Sequence, residues 1–167
     1  MATIAHRSAA WSSAAALRWG AGLMAIAGLA FIGYAAIFLA RNFSGAFLEL
    51  GIGPNEVGAS RAEIEAFSPG LYHYIGHLHI AVSGFIAAAG LATAALAWFG
   101  VRRGQLWAYV TAVATPVLGL LVALPAHYPY NFDTIGHLGL IYLATLVFVI
   151  GAALALPSML AKRRTQP

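Results

Sequence analysis

Hydrophobic positions fall into four long runs along this chain, at about 16–40, 71–100, 105–126 and 134–160, and polar positions gather almost entirely between them. A helix needs ~20 residues to cross the ~30 Å hydrocarbon core of a bilayer, and every run is long enough. The pattern predicts an all-α integral membrane protein with four transmembrane helices, folded as a single domain over 1–167. The first run is longer than the about 7–15 apolar residues of a cleavable signal, and no small-x-small site precedes a polar mature start, so it reads as a retained span. The stretch 1–15, with His6, Arg7 and Trp11, is expected to form an interfacial or frayed tail.

The connections differ in kind. Residues 101–104 make a tight basic turn, so the second and third spans must be antiparallel neighbours. The stretch 127–133 is equally short and rich in aromatics of the sort that anchor at headgroup level. Residues 41–70 form a loop longer than a bundle needs. Within it, Gly51, Gly53 and Pro54 break the chain, and Ser60 with Glu63 spells a capping box that predicts a short helix through about Phe67. Ser68, Pro69 and Gly70 then launch the second span. Phe43, Phe47, Leu48, Leu50, Ile52, Ile64 and Phe67 give this loop an apolar side. That side suits either a folded cap over the end of the bundle or an interfacial hairpin resting on lipid.

Composition and charge turn this pattern into an orientation. Hydrophobic residues make up 61% of the chain and charged residues 8%, more apolar surface than a soluble domain of this length can hide. All five carboxylates (Glu49, Glu56, Glu63, Glu65, Asp133) lie in the first and third connections. Seven of the nine cations (Arg7, Arg18, Arg102, Arg103, Lys162, Arg163, Arg164) lie at the termini and in the second connection. The positive-inside rule therefore puts both termini in the cytoplasm and the 41–70 loop outside, with a bacterial inner (cytoplasmic) membrane as the expected location. Cation clusters confined to short segments set topology and meet anionic lipid, which leaves no surface for nucleic acid. The absence of cysteine excludes disulfides, iron–sulfur clusters, thiolate metal sites and covalently attached c-type haem.

Five of the six histidines (His73, His77, His79, His127, His137) then fall at or just inside the outer boundary. His73 and His77 share a helix face, as do Asp133 and His137, because residues four apart lie only ~40° apart around a helix. An imidazole pair at this spacing is a bidentate platform for metal, and a carboxylate four residues from an imidazole is a second ligand pair or an orienting partner. If the two faces meet, His73, His77, Asp133 and His137 form a cluster, with His127 as a fifth member. His79 points away from this face, in line with Ser83. The sequence Ile75-Gly-His-Leu78 recurs at 135–138, which aligns the two polar levels and fits a parallel internal repeat.

Three readings of this level stand side by side. One is a metal ion (Cu, Zn or Fe), or a b-type haem between His77 and His137, each beside a glycine (Gly76, Gly136) that leaves room for a macrocycle. A chlorophyll-type pigment belongs to the same reading. Another is a polar cluster without a cofactor that binds a quinone-like ligand or relays protons. The third is interfacial histidine bonded to lipid heads and water. The Asp133-x-x-x-His137 spacing resembles the aspartate–histidine copper motif of membrane-bound methane and ammonia monooxygenases, a single match that the rest of the chain does not extend.

No nucleophile-plus-base constellation or phosphate loop is present, which weighs against an enzyme. The expected function is a small membrane protein binding a metal or haem through this cluster, as a subunit or partner of an electron-transfer or oxygenase complex. The alternative is a cofactor-free accessory subunit of a larger membrane complex. The expected partners are membrane lipids, together with such a complex or a homo-oligomer.

Overall fold

A computed structural model of the chain describes residues 2–44 and 49–164, with side chains over 13–44 and 49–161. Phe47 and Leu48 of the loop's apolar side lie outside the described residues, as do the side chains of His6, Arg7, Trp11, Lys162, Arg163 and Arg164. Among the described residues the fold is helical throughout: α1 (Ala2–Phe43), α2 (Pro54–Val57), α3 (Arg61–Phe67), α4 (Pro69–Ala95), α5 (Leu106–Ala123) and α6 (Ile135–Arg164). Four segments are long and apolar enough to cross a membrane: Ser13–Asn42, Pro69–Arg103, Leu106–Tyr130 and Ile135–Ala161. They match the four apolar runs closely. Large side chains such as Phe85, Leu121 and Val122 stand exposed along them, as a lipid solvent permits.

The helix boundaries follow local chemistry. Ser60 accepts from the Glu63 amide at 3.3 Å while Glu63 Oε2 accepts from the Ser60 amide at 2.7 Å, so the capping box closes in both directions and starts α3. Ser68 Oγ accepts from the Leu71 amide at 3.2 Å, with Pro69 in the first turn, and starts α4. At its far end α4 widens into a π turn (Leu96–Gly100) and then tightens into a 3-10 turn (Val101–Arg103). The chain then reverses at Gly104, whose φ of 77° suits a residue without a Cβ. Pro116 interrupts α5. The Thr111 and Thr115 hydroxyls donate to the Trp107 and Thr111 carbonyls, not to the Ala112 carbonyl that Pro116 leaves without its helical donor.

Helix α1 organises the packing. It makes the two extensive interfaces, with α6 and with α4, whereas α4 and α6 hardly meet. Small residues allow this. A Cβ on Gly20 would stand 2.5 Å from the Gly151 carbonyl oxygen, and one on Gly28 would stand 2.7 Å from that of Gly90. Without a hydrophobic drive between helices in lipid, such close backbone contact supplies the association energy. Beside these contacts Leu17, Ala21, Met24, Ala97, Val101, Phe148, Ala155 and Met159 form a closed apolar core toward the basic-turn end. The opposite end, where the 41–70 connection returns, holds the buried polar groups His137 and, nearby, Ser83.

Candidate metal centre

The site is assembled by a turn of the loop docked on the start of α6. Ile52 N–H donates to the Glu49 carbonyl at 3.1 Å, closing a turn whose third residue, Gly51, has φ 75°. Such a turn requires a residue that tolerates positive φ. Gly51 serves a second need as well, because a Cβ there would stand 2.2 Å from the Gly136 carbonyl carbon and 2.3 Å from the His137 nitrogen. Two glycines, 51 and 136, let loop and helix touch backbone to backbone. Thr134 fastens the joint: its hydroxyl donates to the Gly51 carbonyl at 3.0 Å and accepts from the His137 amide at 3.2 Å. Ile52 is buried beneath, and Arg41 at the end of α1 donates to the Glu49 carbonyl at 3.4 Å.

This docking delivers the Glu49 carboxylate to two imidazoles. Glu49 Oε2 lies 3.0 Å from His137 Nε2, and His137 Nε2 lies 3.0 Å from His127 Nε2. The three side chains offer ligand atoms that all lie within 4.8 Å of one another. His127 is held where α5 runs out through 3-10 turns at Leu124–Ala126 and Tyr128–Tyr130, a corner closed by Phe132 N–H donating to the His127 carbonyl at 3.0 Å. His137 is almost wholly buried, and Glu49 and His127 are half-buried.

Hydrogen bonding fixes the tautomers. Each ring places Nδ1 on a backbone carbonyl, His137 on Leu50 at 3.0 Å and His127 on Ala123 at 2.8 Å. A carbonyl only accepts, so each Nδ1 carries a proton and a neutral ring turns the Nε2 lone pair toward its neighbour. Two Nε2 atoms and a carboxylate oxygen then lie within 4.8 Å of one another. A proton on His127 Nε2 satisfies the contact between the rings and leaves the Glu49–His137 contact repulsive, whereas one on His137 Nε2 must be shared between two acceptors. A cation satisfies all three. Nitrogen ligands ~2.0–2.1 Å from a tetrahedral ion stand ~3.3 Å apart, close to the separation found here. Imidazoles anchored through Nδ1–H on carbonyls are also the usual orientation of ligating histidine.

Burial pushes the Glu49 carboxyl up; when the rings are protonated, a hydrogen bond from His137 and the charges of His137, His79 and His127 outweigh it and hold the group below its ordinary value. When the rings are neutral, it is a bound cation that would keep the carboxylate ionised. Its other oxygen, Oε1, lies 4.0 Å from His79 Nε2, whose ring packs on Phe38 with centroids 5.0 Å apart. That separation is too long for a hydrogen bond, so His79 stands behind the carboxylate as a neighbour.

Of the residues singled out from the sequence, the structure brings His127 and His137 together. It places His73 and His77 elsewhere, exposed on α4 in a groove with Asn42, and Asp133 is exposed ahead of α6. His77 shares its groove with Asn42 of α1, whereas His137 is buried against the loop at Glu49 and Leu50. Glu49 is the site residue that sequence reasoning used only as a marker of topology. Gly51 read by itself marks only a turn, so nothing local in the sequence singles out Glu49. Among the described residues, fold and site together give an all-helical chain with four helices long and apolar enough to cross a membrane and a carboxylate–imidazole cluster at one end. Compared with protein-family models, curated proteins and solved structures, the chain finds no match.

Proposed function

We propose that this protein is a membrane metalloprotein whose Glu49, His127 and His137 hold one divalent transition-metal ion. The observation that carries this reading is the pair of Nε2 atoms facing each other at 3.0 Å, with both Nδ1 protons committed to carbonyls and a carboxylate oxygen at the same distance. Two imidazoles and one carboxylate form a nitrogen- and oxygen-donor set suited to zinc, iron(II) or copper(II), with positions left for water or a substrate. The charge pattern puts this centre at the extracytoplasmic face, within reach of partners there. Its role is to hold the ion as a subunit or partner of an electron-transfer or oxygenase assembly. The third span buries 11% of its apolar window within the chain against 39% for the first, which leaves most of that helix for lipid or a neighbouring subunit. That exposure also supports the second reading, an accessory subunit whose purpose is packing.

Elemental analysis of protein purified in detergent, without added chelator, separates the two. One equivalent of metal that disappears in His137→Ala and Glu49→Gln, with helicity retained, supports the metal centre. Wild-type protein that carries no metal and takes up none on addition leaves the accessory-subunit reading.

A further inference from the structure

The second span carries two imidazoles that the Glu49 centre does not use. His73 and His77 are one turn apart on α4, within ~40° of the same face, and both are exposed. They line one groove of about 380 Å³ together with Tyr72, Gly76, Ile80 and Asn42. Asn42 belongs to the last turn of α1, so the groove is built by two helices. Its carboxamide lies over Gly76, with Oδ1 3.2 Å and Nδ2 3.8 Å from where a Cβ would stand. Gly76 is three residues beyond His73 and one before His77, which sets the amide beside the two rings on the same groove. The absence of a side chain at position 76 is what admits it.

This donor set has a definite chemical preference. Imidazoles at i, i+4 can close on one ion from adjacent turns, and the carboxamide oxygen adds a third, neutral donor. The lining contains no carboxylate, so calcium and magnesium, which need several charged oxygens, find little there. Nitrogen donors favour copper(II) and zinc. The Arg61 guanidinium, 5.1 Å from the Tyr72 ring centroid, is held on that ring. With no carboxylate in its lining and both rings exposed, the groove binds more weakly than the Glu49 centre and exchanges more readily. We infer that the His73–His77–Asn42 groove is a second transition-metal site, independent of the first.

The test is a copper(II) titration of the metal-stripped, full-length protein in nanodiscs, followed by electron paramagnetic resonance. Wild type should show a tight and a weaker class of bound copper, the weaker with nitrogen hyperfine structure. The His73→Ala/His77→Ala double variant, altered only at exposed positions, should lose the weaker class and keep the tighter. His137→Ala should do the reverse. Asn42→Leu should weaken the second class by roughly tenfold and shift its spectrum, and Gly76→Val, which displaces the same amide, should do likewise. Zinc should compete for the weaker class, whereas magnesium in large excess should not. The inference is overturned if the double variant retains both classes, or if neither Asn42→Leu nor Gly76→Val alters the weaker one. Failure of the Glu49 centre alone would look different, leaving a single class removed by the His73/His77 substitutions.

Discussion

Replacing Gly51 by alanine should dismantle the metal centre without touching any ligand. The added Cβ would sit 2.2 Å from the Gly136 carbonyl carbon and 2.3 Å from the His137 nitrogen, both main-chain atoms of a helix start that cannot swing aside. Carbon atoms are comfortable together only from ~3.5 Å, so the turn must retreat by more than ~1 Å. Glu49 begins that turn, and its 3.0 Å approach to His137 would open past coordination distance. The φ of 75° adds about 1–2 kcal/mol of backbone strain for a residue with a Cβ. Gly58 provides the control, since it has the same φ of 75° and nothing within 4 Å of its Cβ position. Both variants carry the strain; only Gly51→Ala carries the collision. Competition titrations with zinc against a chromophoric chelator should show Gly51→Ala weakened by roughly 10–100-fold or more, the range seen when a ligand loses its positioning partner. Gly58→Ala should match wild type. Equal affinities for the two variants would refute the docking geometry and the role of Glu49 in it.

Other expectations reach the rest of the molecule. Reporter fusions and cysteine labelling should find 101–104 in the cytoplasm and 49–65 and 128–132 outside, and an externally accessible 101–104 turn would invert the orientation. Gly20→Ala should lower the melting temperature in detergent, because its Cβ would meet the Gly151 oxygen at 2.5 Å and overpacking costs about 1–3 kcal/mol; Gly22→Ala, facing open space, should not. The side-chain and backbone hydrogen bonds from Ser60 hold the Glu63 carboxyl below its ordinary value, so its contribution to the α3 cap is complete above the ordinary carboxylate range and is lost as pH falls through the lowered value. Protection of the Ser60 and Glu63 amides, taken as exchange relative to its intrinsic rate at each pH, should therefore fall only below the ordinary carboxylate range, and loss of protection beginning above it would contradict the cap.

The four spans were legible because an apolar run long enough to cross a bilayer has few other uses, and the helix starts at Ser60 and Ser68 follow from side-chain chemistry within three residues. Helix pairing was not legible in the same way. Many glycines and alanines are scattered over the spans, and only the folded chain shows Gly20 against Gly151 and Gly28 against Gly90, while Gly22 and Gly84 face open space. That pairing packs α1 against both histidine-bearing helices, and His77 lies in a groove with Asn42 of α1. The crowding of histidines toward one end of the spans was legible, and the structure brings two of them, His127 and His137, together. Glu49 was not, since helical periodicity says nothing of where a loop returns. The return depends on two glycines, 51 and 136, that are far apart in the chain and read singly as turn and helix-start residues.

That Glu49, His127 and His137 share one ion is tested most directly by X-ray absorption on the purified protein loaded with a single equivalent of zinc or copper. The first coordination shell should contain nitrogen and oxygen at ~2.0–2.1 Å, with the outer-shell scattering of two imidazoles. In His127→Ala, made in the His73→Ala/His77→Ala background so that the α4 groove cannot take the ion, that scattering should fall to one ring, while His79→Ala in the same background should leave two. An ion whose shell keeps two imidazoles in this His127→Ala variant, or has none in wild type, would contradict the claim.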